Sequence, residues 1–252
     1  MLEVKNLSAG YHGHKVVENI NFSLQNSEKL AIIGANGCGK TTLLRAISGI
    51  LPYSGTVTVD DCSLLNKKRK EVAQKVALMQ QIDAYYFNYT VYETVMLGRY
   101  VHMKEHFLSK SSKIDKEIVL EALKRTGLFE LRNTLITQLS GGQLQRVFLT
   151  RIFVQNPSVI LLDEPMNHLD FKYQMELIRY LKNWTEIEDH CVVGVFHDLN
   201  LAFDFADTIL LLEQGKVQAY CRTEEFQLSQ LDGIYEYPMK DYMIRSLQRW
   251  KN

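Results

Sequence analysis

A glycine-rich stretch between an apolar run and an amphipathic segment is the feature that most limits how this chain folds. The stretch reads GANGCGKTT from Gly34 to Thr42, with KLAII before it and LLRAISGI after it. It fits G-x-x-x-x-G-K-[ST], in which glycines let backbone N–H groups turn toward phosphate oxygens and the next helix adds its positive N-terminus. Lys40 is expected to reach the β- and γ-phosphates of a nucleotide, and the Thr41 hydroxyl to bind Mg²⁺. The loop alone does not choose among kinases, GTPases and ATPases.

Further apolar runs predict the sheet that carries this loop. SVILLDEP and CVVGVFHD are continuous apolar runs of strand length, which is typical of strands buried on both faces. FKYQMELIRYLKNW lies between them and has helical spacing. LEVKNL and ENINFSL alternate near the N-terminus, as half-buried strands do. We therefore predict an α/β fold with a mostly parallel sheet and an N-terminal antiparallel part.

The middle of the chain has a different character. TVYETVMLGRYVHM and DKEIVLEALKRTGLFEL are helical patterns with no strand-like run between them. We expect a single domain over residues 1–252, in which an α/β core (1–88 and 146–222) contains an inserted α-helical part (89–145). Residues 223–252 form a closing segment that ends in an amphipathic helix.

Composition excludes several classes of function. Lysine and arginine total 29, and so do aspartate and glutamate, so no basic surface indicates a nucleic-acid partner. No apolar run approaches the roughly 18 residues that a membrane-spanning helix needs. The N-terminus MLEVKNLSAG lacks the pattern of a signal peptide, which favours the cytoplasm. The four cysteines are far apart and form no CxxC, which argues against a metal knuckle or a disulfide framework.

A second glycine motif, LSGGQ, begins another predicted helix about a hundred residues after the first. Ser140 is a plausible helix cap, and a capped helix start is the simpler interpretation of the motif. Acidic and histidine side chains then follow at the ends of the two buried runs: Asp163 and Glu164 in VILLDEP, and His197 in VFHD. The carboxyl ends of such strands are where α/β sheets place their chemistry.

These motifs, in this order, resemble the ATP-binding cassette (ABC) ATPases over nearly the whole chain. The resemblance implies that Tyr11 stacks on adenine, that Gly34 to Thr42 is the Walker A loop, and that Glu164 is the catalytic base. It also implies the D-loop at Asp170 and a switch histidine, His197, at the γ-phosphate. The implied nucleotide-binding residues are Tyr11, Gly34, Asn36, Gly37, Cys38, Gly39, Lys40, Thr41, Thr42, Ser140, Gly141, Gly142, Gln143 and Asp170.

The same resemblance assigns the Mg²⁺ ligands and the partners. Thr41, Asp163 and Gln81 are the implied metal ligands, with Gln80 as the alternative to Gln81 because the sequence there reads MQQ. ABC ATPases pair head to tail, so that the signature motif, here LSGGQ, of one copy closes on the ATP of the other. The expected partners are therefore a second copy, two membrane permease subunits at the cytoplasmic face and, indirectly, an external binding protein.

Within the family, TVYETVMLGR, EPMNHLD and HDLNLAFDFAD look most like the importers of iron-siderophore, haem and cobalamin. Molybdate and zinc importers are the nearest alternative. A soluble cassette protein acting on ribosomes or DNA is a second alternative, which the lack of heptad arms, the single phosphate loop and the neutral charge disfavour. A P-loop kinase or GTPase has no place for LSGGQ.

Three further stretches carry weaker predictions. HMKEH (His102, Glu105, His106) fits a zinc-peptidase pattern, but we interpret it as a solvated helix end or loop. AYYFNYTVY is either core packing or a surface for the permease, with Tyr85, Tyr86, Phe87 and Tyr89 at the contact. Cys38 lies beside a helix N-terminus and Lys40, which should favour a reactive thiolate that bound ATP protects. The alternative is a small buried side chain that does not react.

Overall fold

Two sheets form the framework of the computed structural model, which describes residues 1–80, 88–103, 112–166, 169–188 and 190–248. The smaller sheet is antiparallel and has the order β2-β1-β4-β5, and the larger one has the order β10-β9-β3-β8-β7-β6. In chain order the strands are β1 Leu2–Tyr11, β2 His14–Leu24, β3 Lys29–Ile33, β4 Tyr53–Val59, β5 Cys62–Ser63, β6 Val76–Met79, β7 Val159–Asp163, β8 Cys191–Val195, β9 Thr208–Glu213 and β10 Lys216–Arg222.

Helices surround the larger sheet and fill the middle of the chain. Short 3₁₀ turns lie at Leu97–His102, Phe129–Leu131, Ile136–Gln138, Thr223–Glu225 and Leu228–Leu231. The α-helices are α1 Lys40–Ile47, α2 Arg69–Lys75, α3 Val91–Met96, α4 Lys113–Arg125, α5 Gly141–Gln155, α6 Phe171–Glu188, α7 Leu199–Phe205, α8 Asp232–Tyr235 and α9 Met239–Gln248. Across the described ranges, no helix is long and apolar enough to cross a membrane.

The larger sheet is buried on both faces, as its continuous apolar runs predict. In β3, Leu30 and Ile32 join the apolar cluster shared with the antiparallel sheet, whereas Ala31 and Ile33 join the cluster under the helices. Neighbouring strands pair in parallel except β9 and β10, which form an antiparallel edge. The predicted α/β fold, with a mostly parallel sheet, an N-terminal antiparallel part and inserted helices, is confirmed. The boundaries assigned to its parts stay predictions.

Three strands of the larger sheet, β6, β9 and β10, are absent from the sequence prediction. The four residues of β6 make too short an apolar run to stand out before the helical stretch. Strand β10 alternates between exposed and half-buried positions and contains no fully buried residue. Its hydrogen bonds to β9 place it at the edge.

An ion pair lies within the inserted helices and is linked to α5 by a hydrogen bond. Arg99 Nε lies 2.9 Å from Asp115 Oδ1, and both side chains are nearly buried. Arg99 also donates to the carbonyl of Val154 on α5, while Ser112 and Asp115 cap the start of α4 reciprocally. Burial alone would raise the pKa of Asp115, but the hydrogen bonds from Ser112 and Arg99 outweigh it and lower the pKa. Asp115 and Arg99 together thus connect the start of α4 to the end of α5.

A second carboxylate, Asp60, joins distant parts of the core. It lies 3.0 Å from the N-terminal ammonium, 2.8 Å from Lys75 Nζ and 2.6 Å from Ser158 Oγ. Burial alone would raise the pKa of Asp60, but hydrogen bonds from Lys75, Ser158 and the N-terminus hold the pKa well below its usual range. The carboxylate therefore favours the folded state through its charged form.

Candidate active site

The phosphate loop leaves β3 and enters α1 in a backbone path that only glycine fits at two positions. Gly34 has φ 148°, and a Cβ there would lie 2.1 Å from the carbonyl oxygen of Leu212. Gly39 has φ 111° at the start of α1, and a Cβ there would lie 2.7 Å from Val17 Cγ1. The two glycines let the loop pass close to β9 and β2, and the loop ends at the N-terminus of a helix, where backbone N–H groups favour anions.

Lys40 lies inside the loop rather than in solvent. Its side chain is buried, and Nζ donates hydrogen bonds to the carbonyl oxygens of Gly34, at 2.7 Å, and Ala35, at 2.9 Å. These bonds hold an ammonium group within the turn. The site thus contains a cation where the motif predicts one, and backbone oxygens orient it.

The next residue along α1 reaches the end of a buried strand. Thr41 Oγ1 donates to Asp163 Oδ1 at 3.0 Å, although 122 positions separate the two residues in the sequence. Asp163 is 7% exposed, and burial raises the pKa of its carboxyl group, an effect that the Thr41 hydrogen bond partly offsets. A hydroxyl and a carboxylate oxygen therefore lie side by side next to the phosphate loop.

Glu164 and His197 meet at the ends of adjacent strands. Strands β7 and β8 pair with Asp163 opposite Val195, so the residues just beyond both strands are neighbours. His197 Nε2 lies 2.5 Å from Glu164 Oε1. Glu164 has φ 52°, a left-handed conformation that is uncommon for a non-glycine residue and turns the chain directly after β7. A carboxylate and an imidazole are thus in contact next to Asp163.

The LSGGQ turn begins α5 as a reciprocal cap. Ser140 Oγ accepts from the Gln143 N–H at 3.3 Å, and Gln143 Oε1 accepts from the Ser140 N–H at 3.0 Å. Gly141 has open space around its Cβ position, whereas Gly142 packs against the Tyr173 ring. No hydrogen bond or ion pair within the described parts of the chain joins this turn to the phosphate loop.

The remaining predicted residues have local contacts of their own. Tyr11 is 38% exposed, and its hydroxyl lies 3.3 Å from Arg45 Nη1. Asp170 precedes α6 and accepts from the Tyr173 N–H at 3.1 Å. Gln80 follows β6 and is half-buried. Outside the described residues lie Gln81, Tyr85, Tyr86, Phe87, Glu105 and His106.

The expectation of a reactive thiolate at Cys38 is wrong. The side chain is 7% exposed, and burial raises the pKa of its thiol more than the nearby Lys40 lowers it. The sequence showed the cation and the helix end next to Cys38. It did not show that the thiol packs into the apolar cluster beneath the antiparallel sheet.

Three contacts around the site were not predicted. Gln145 donates to the carbonyl of Pro165, and Gln174 Nε2 donates to the carbonyl of Met166 at 3.3 Å, so α5 and α6 both hold the segment after Glu164. Asp198, next to His197, caps α7 by accepting from two backbone N–H groups. Helix-start chemistry was a usable signal for Asp198, because aspartate is a preferred cap.

Comparison with known proteins agrees with the class that this fold and site define, a P-loop nucleotide hydrolase. Residues 17–167 match the family model described as "ABC transporter". The chain belongs to this family and is an ABC-type ATPase, which binds ATP.

Curated relatives cover most of this chain. It is 35% identical to the "Probable siderophore transport system ATP-binding protein YusV" of Bacillus subtilis, over 89% of this chain and 81% of the relative. It is 34% identical to the "Ferric enterobactin transport ATP-binding protein FepC" of Escherichia coli, over 91% of this chain and 84% of the relative. It is 37% identical to the uncharacterised ABC transporter ATP-binding protein YvrA of Bacillus subtilis over 85% of this chain, and spans 48% of that longer relative.

Solved structures share the fold closely. A putative metal-chelate type ABC transporter in an inward-facing conformation matches with a TM-score of 0.81 and 28% identity, over 93% of this chain and 88% of that one. The ATP-binding cassette MJ0796, in a dimeric post-hydrolysis state bound to ADP and Pi, matches with a TM-score of 0.76 and 29% identity. That match covers 90% of this chain and 100% of the cassette.

Proposed function

We propose that this chain is the ATP-hydrolysing subunit of a membrane importer whose cargo is an iron-siderophore, haem or cobalamin. The observation that carries the proposal is the meeting of two pairs, Thr41 with Asp163 and Glu164 with His197, next to one phosphate loop. Two relatives are named for siderophore transport and for ferric enterobactin transport, and these names support the cargo class.

Nucleotide binding rests on the loop and on one aromatic side chain. Lys40 and the backbone N–H groups of Gly34 to Thr42 hold the phosphates, and the N-terminus of α1 favours their charge. Tyr11 presents a partly exposed ring on which adenine stacks, and its hydroxyl contact with Arg45 supports the ring's position.

The residues present fit a magnesium ion. Mg²⁺ prefers oxygen ligands, usually one or two carboxylates together with substrate phosphates and water. Thr41 Oγ1 and Asp163 Oδ1 are two such oxygens 3.0 Å apart, and Gln81 is the proposed third ligand. When bound, the ion neutralises charge on the β- and γ-phosphate oxygens.

Hydrolysis then needs a group at the attacking water. The oxygen of the water attacks the γ-phosphorus while Glu164 accepts a proton from that water. The bond between the γ-phosphorus and the β–γ bridging oxygen then breaks, which releases ADP and phosphate. His197, held 2.5 Å from Glu164, donates a hydrogen bond to the γ-phosphate. Asp163 does not accept this proton, because its carboxylate is hydrogen-bonded to Thr41 at the proposed magnesium site.

The second glycine motif is assigned to a partner copy. The turn at Ser140, Gly141, Gly142 and Gln143 ends in backbone N–H groups at the start of α5, a setting that suits a phosphate. Because no hydrogen bond or ion pair among the described residues joins this turn to its own phosphate loop, we place it, with Asp170, against the ATP of a second copy. The dimeric state of the MJ0796 cassette supports this arrangement.

A permease is the proposed membrane partner, and a groove near the end of α1 suits it. A cavity of about 600 Å³ lies between the chain after α1 and strand β6, with Leu51, Leu65 and Leu78 in its lining. Ile50 and Tyr100 are large apolar side chains that stay exposed, at 56% and 66%. Ile50 also lines this cavity, and exposed apolar surface beside a groove is typical of protein contacts, so a cytoplasmic helix of the permease is the proposed occupant.

The variant Glu164→Gln tests the mechanism. Glutamine keeps the size of the side chain but accepts no proton, so ATP should still bind while hydrolysis falls by roughly 10²- to 10⁴-fold. Slow hydrolysis should trap the ATP-bound pair, so gel filtration with Mg-ATP should show a dimer that the parent lacks. Glu224→Gln, an exposed glutamate in the 3₁₀ turn after β10, is the matched control and should behave like the parent.

Uptake in cells separates the mechanism from the cargo. Cells that lack the parent chain should regain uptake of labelled ferric siderophore, haem or cobalamin with the parent or Glu224→Gln, but not with Glu164→Gln. Rescue of molybdate or zinc uptake alone would overturn the cargo class and leave the ATPase assignment intact. Near-parent turnover in Glu164→Gln would instead remove Glu164 as the base.

A further inference from the structure

A cation-lined cleft lies on the side of the helices, away from the phosphate loop. It has a volume of about 380 Å³ and lies between the end of α4, the first half of α5 and the middle of α6. Four cationic side chains and one acidic side chain line it: Lys124, Arg125, Arg146, Arg179 and Glu176. We call this the cationic cleft.

Capping of α4 accounts for only part of this charge. Lys124 and Arg125 lie in the last turn of α4, where cations complement the helix dipole, and Arg125 pairs with Glu121. Arg146 lies in the first half of α5 and Arg179 in the middle of α6, where the dipole gives them no such role. Within the described ranges, Lys124, Arg146 and Arg179 have no carboxylate within ion-pair distance.

An apolar cavity of about 510 Å³ adjoins the cationic cleft. The two share Arg125, Thr126, Tyr180 and Asn183 in their linings, so they are neighbours along one groove. Phe153 and Trp184 lie on the apolar side. Their ring centroids are 6.2 Å apart, and their ring planes are inclined by 26°. Both volumes fall in the range of small-molecule sites, about 300–1,000 Å³. The groove as a whole offers cations at one end and aromatic surface at the other.

The cationic cleft is connected to the LSGGQ turn through one side chain. The guanidinium of Arg146 lies 5.1 Å from the ring centroid of Tyr173, and that ring packs against Gly142. The Tyr173 N–H also donates to Asp170. A ligand that draws Arg146 away from Tyr173 therefore changes the packing behind two of the segments assigned to the partner's ATP.

We propose that the cationic cleft and its apolar neighbour bind a small organic anion, with its phosphate group at the cations and its apolar body on Phe153 and Trp184. Three cations with no carboxylate partner among the described residues favour a phosphate, which accepts several charge-assisted hydrogen bonds at once. Binding changes the rate of ATP hydrolysis through Arg146, Tyr173 and Gly142. This regulation goes beyond the transport role proposed above.

Fluorescence of Trp184 tests the binding site. The chain has two tryptophans, and Trp250→Phe leaves Trp184 as the reporter. With Mg-ADP filling the nucleotide site, 4-nitrophenyl phosphate should quench Trp184 saturably, and the uncharged 4-nitrobenzyl alcohol should bind about tenfold more weakly. Equal quenching by the two compounds would overturn the role of charge. Equal affinity for 4-nitrobenzoate would overturn the choice of phosphate.

Charge-removing variants locate the site. Lys124→Gln and Arg179→Gln should each weaken 4-nitrophenyl phosphate binding up to about fivefold, the range for exposed ion pairs. Lys113→Gln, which removes an exposed charge at the other end of α4, is the matched control and should bind as the parent does. The same affinity in all three variants would overturn the cleft as the site.

Hydrolysis rates test the regulation. 4-Nitrophenyl phosphate should change the ATPase rate of the parent at least twofold and leave the double variant Lys124→Gln/Arg179→Gln unchanged. Without the compound, the double variant should hydrolyse ATP at the parent rate, because neither side chain belongs to the nucleotide site. Binding with no change in the parent rate would overturn the regulatory part of the proposal.

Discussion

At the scale of single residues, burial decides which side chains of the site can react. Lys40 and Asp163 are both less than a tenth exposed, whereas His197 retains 37% of its side-chain surface. Lys40 is held by a hydrogen bond to a backbone carbonyl, and Asp163 by one from the Thr41 hydroxyl. The more exposed His197 is suited to contact the γ-phosphate, which enters and leaves with each turnover.

Cys38 follows the same rule and should be slow to react. Because burial raises the pKa of its thiol and limits access, a maleimide at pH 7 should modify Cys38 more slowly than Cys62, which is partly exposed. Peptide mapping by mass spectrometry after a time course would measure both rates in one sample. Faster labelling of Cys38, with protection by ATP, would contradict the buried-thiol interpretation.

At the scale of elements, a nearly buried ion pair between Arg99 and Asp115 connects two segments of the inserted helices. Arg99→Met would leave Asp115 without its guanidinium and the Val154 carbonyl without its donor. Removing one partner of a buried pair costs about 3–5 kcal/mol, so the free energy of unfolding in urea should fall by about that amount. The double variant Arg99→Met/Asp115→Asn should recover part of the loss, since no lone charge remains.

An exposed pair on the same helix provides the control. Arg125→Met breaks the Arg125–Glu121 pair, in which both side chains are more than half exposed. Its effect on unfolding should stay below about 1 kcal/mol. Equal losses from Arg99→Met and Arg125→Met would mean that burial does not set the strength of the Arg99 pair.

The same elements show how far sequence patterns reach. Strands β3, β7 and β8 were predictable because each is an apolar run buried on both faces, and Ser140 was recognisable as a cap. Strand β10 was not, because an edge strand with no buried residue has no apolar pattern. Its position is set by pairing with β9, which a single-strand pattern does not encode.

In the candidate site, too, local patterns predict some residues and miss the contacts between distant segments. Residues that lie within one motif, such as Lys40 and Thr41, follow from local spacing. The Thr41–Asp163 contact spans 122 positions, and only the resemblance to ABC ATPases placed both residues at one metal ion. The Gln145 contact with Pro165 has no local signal, because it depends on how α5 packs beside β7. Burial of Cys38 was hidden for the same reason.

At the scale of the whole molecule, a few long-range contacts join the two sheets to each other and the N-terminus to the core. The Glu18 N–H donates to the carbonyl of Gly215 at 2.8 Å, and Tyr220 on β10 hydrogen-bonds Ser23 on β2. Asp60 ties the N-terminus to Lys75 and Ser158. These contacts, together with the apolar cluster that both sheets share, hold the antiparallel sheet against the central one.

Asp60 should therefore contribute to stability in a pH-dependent way. Its folded-state pKa is depressed, so its contribution is present above the unfolded value near 3.9 and is lost as pH falls through the folded value. Because Asp60 is more than a third exposed, solvent screening limits its contribution, and Asp60→Asn should cost about 1 kcal/mol at pH 7. Urea unfolding from pH 7 to pH 3 should show the difference from the parent shrinking at acid pH.

The neighbouring residue supplies the control for Asp60. Asp61 is exposed and also has a positive φ, so Asp61→Asn makes the same chemical change without removing the three contacts. It should unfold like the parent across the pH range. An equal loss of stability in both variants would show that general charge, and not the Asp60 contacts, causes the effect.

The left-handed backbone at Glu164 bears on any attempt to engineer a more robust version of this protein. Glycine and asparagine adopt that conformation more readily than glutamate, and strain of this kind costs on the order of 1–3 kcal/mol. Selection for heat resistance alone would therefore reward replacing the residue assigned to the chemistry. Stability and activity pull in opposite directions at position 164, so a stabilising library should hold this position fixed.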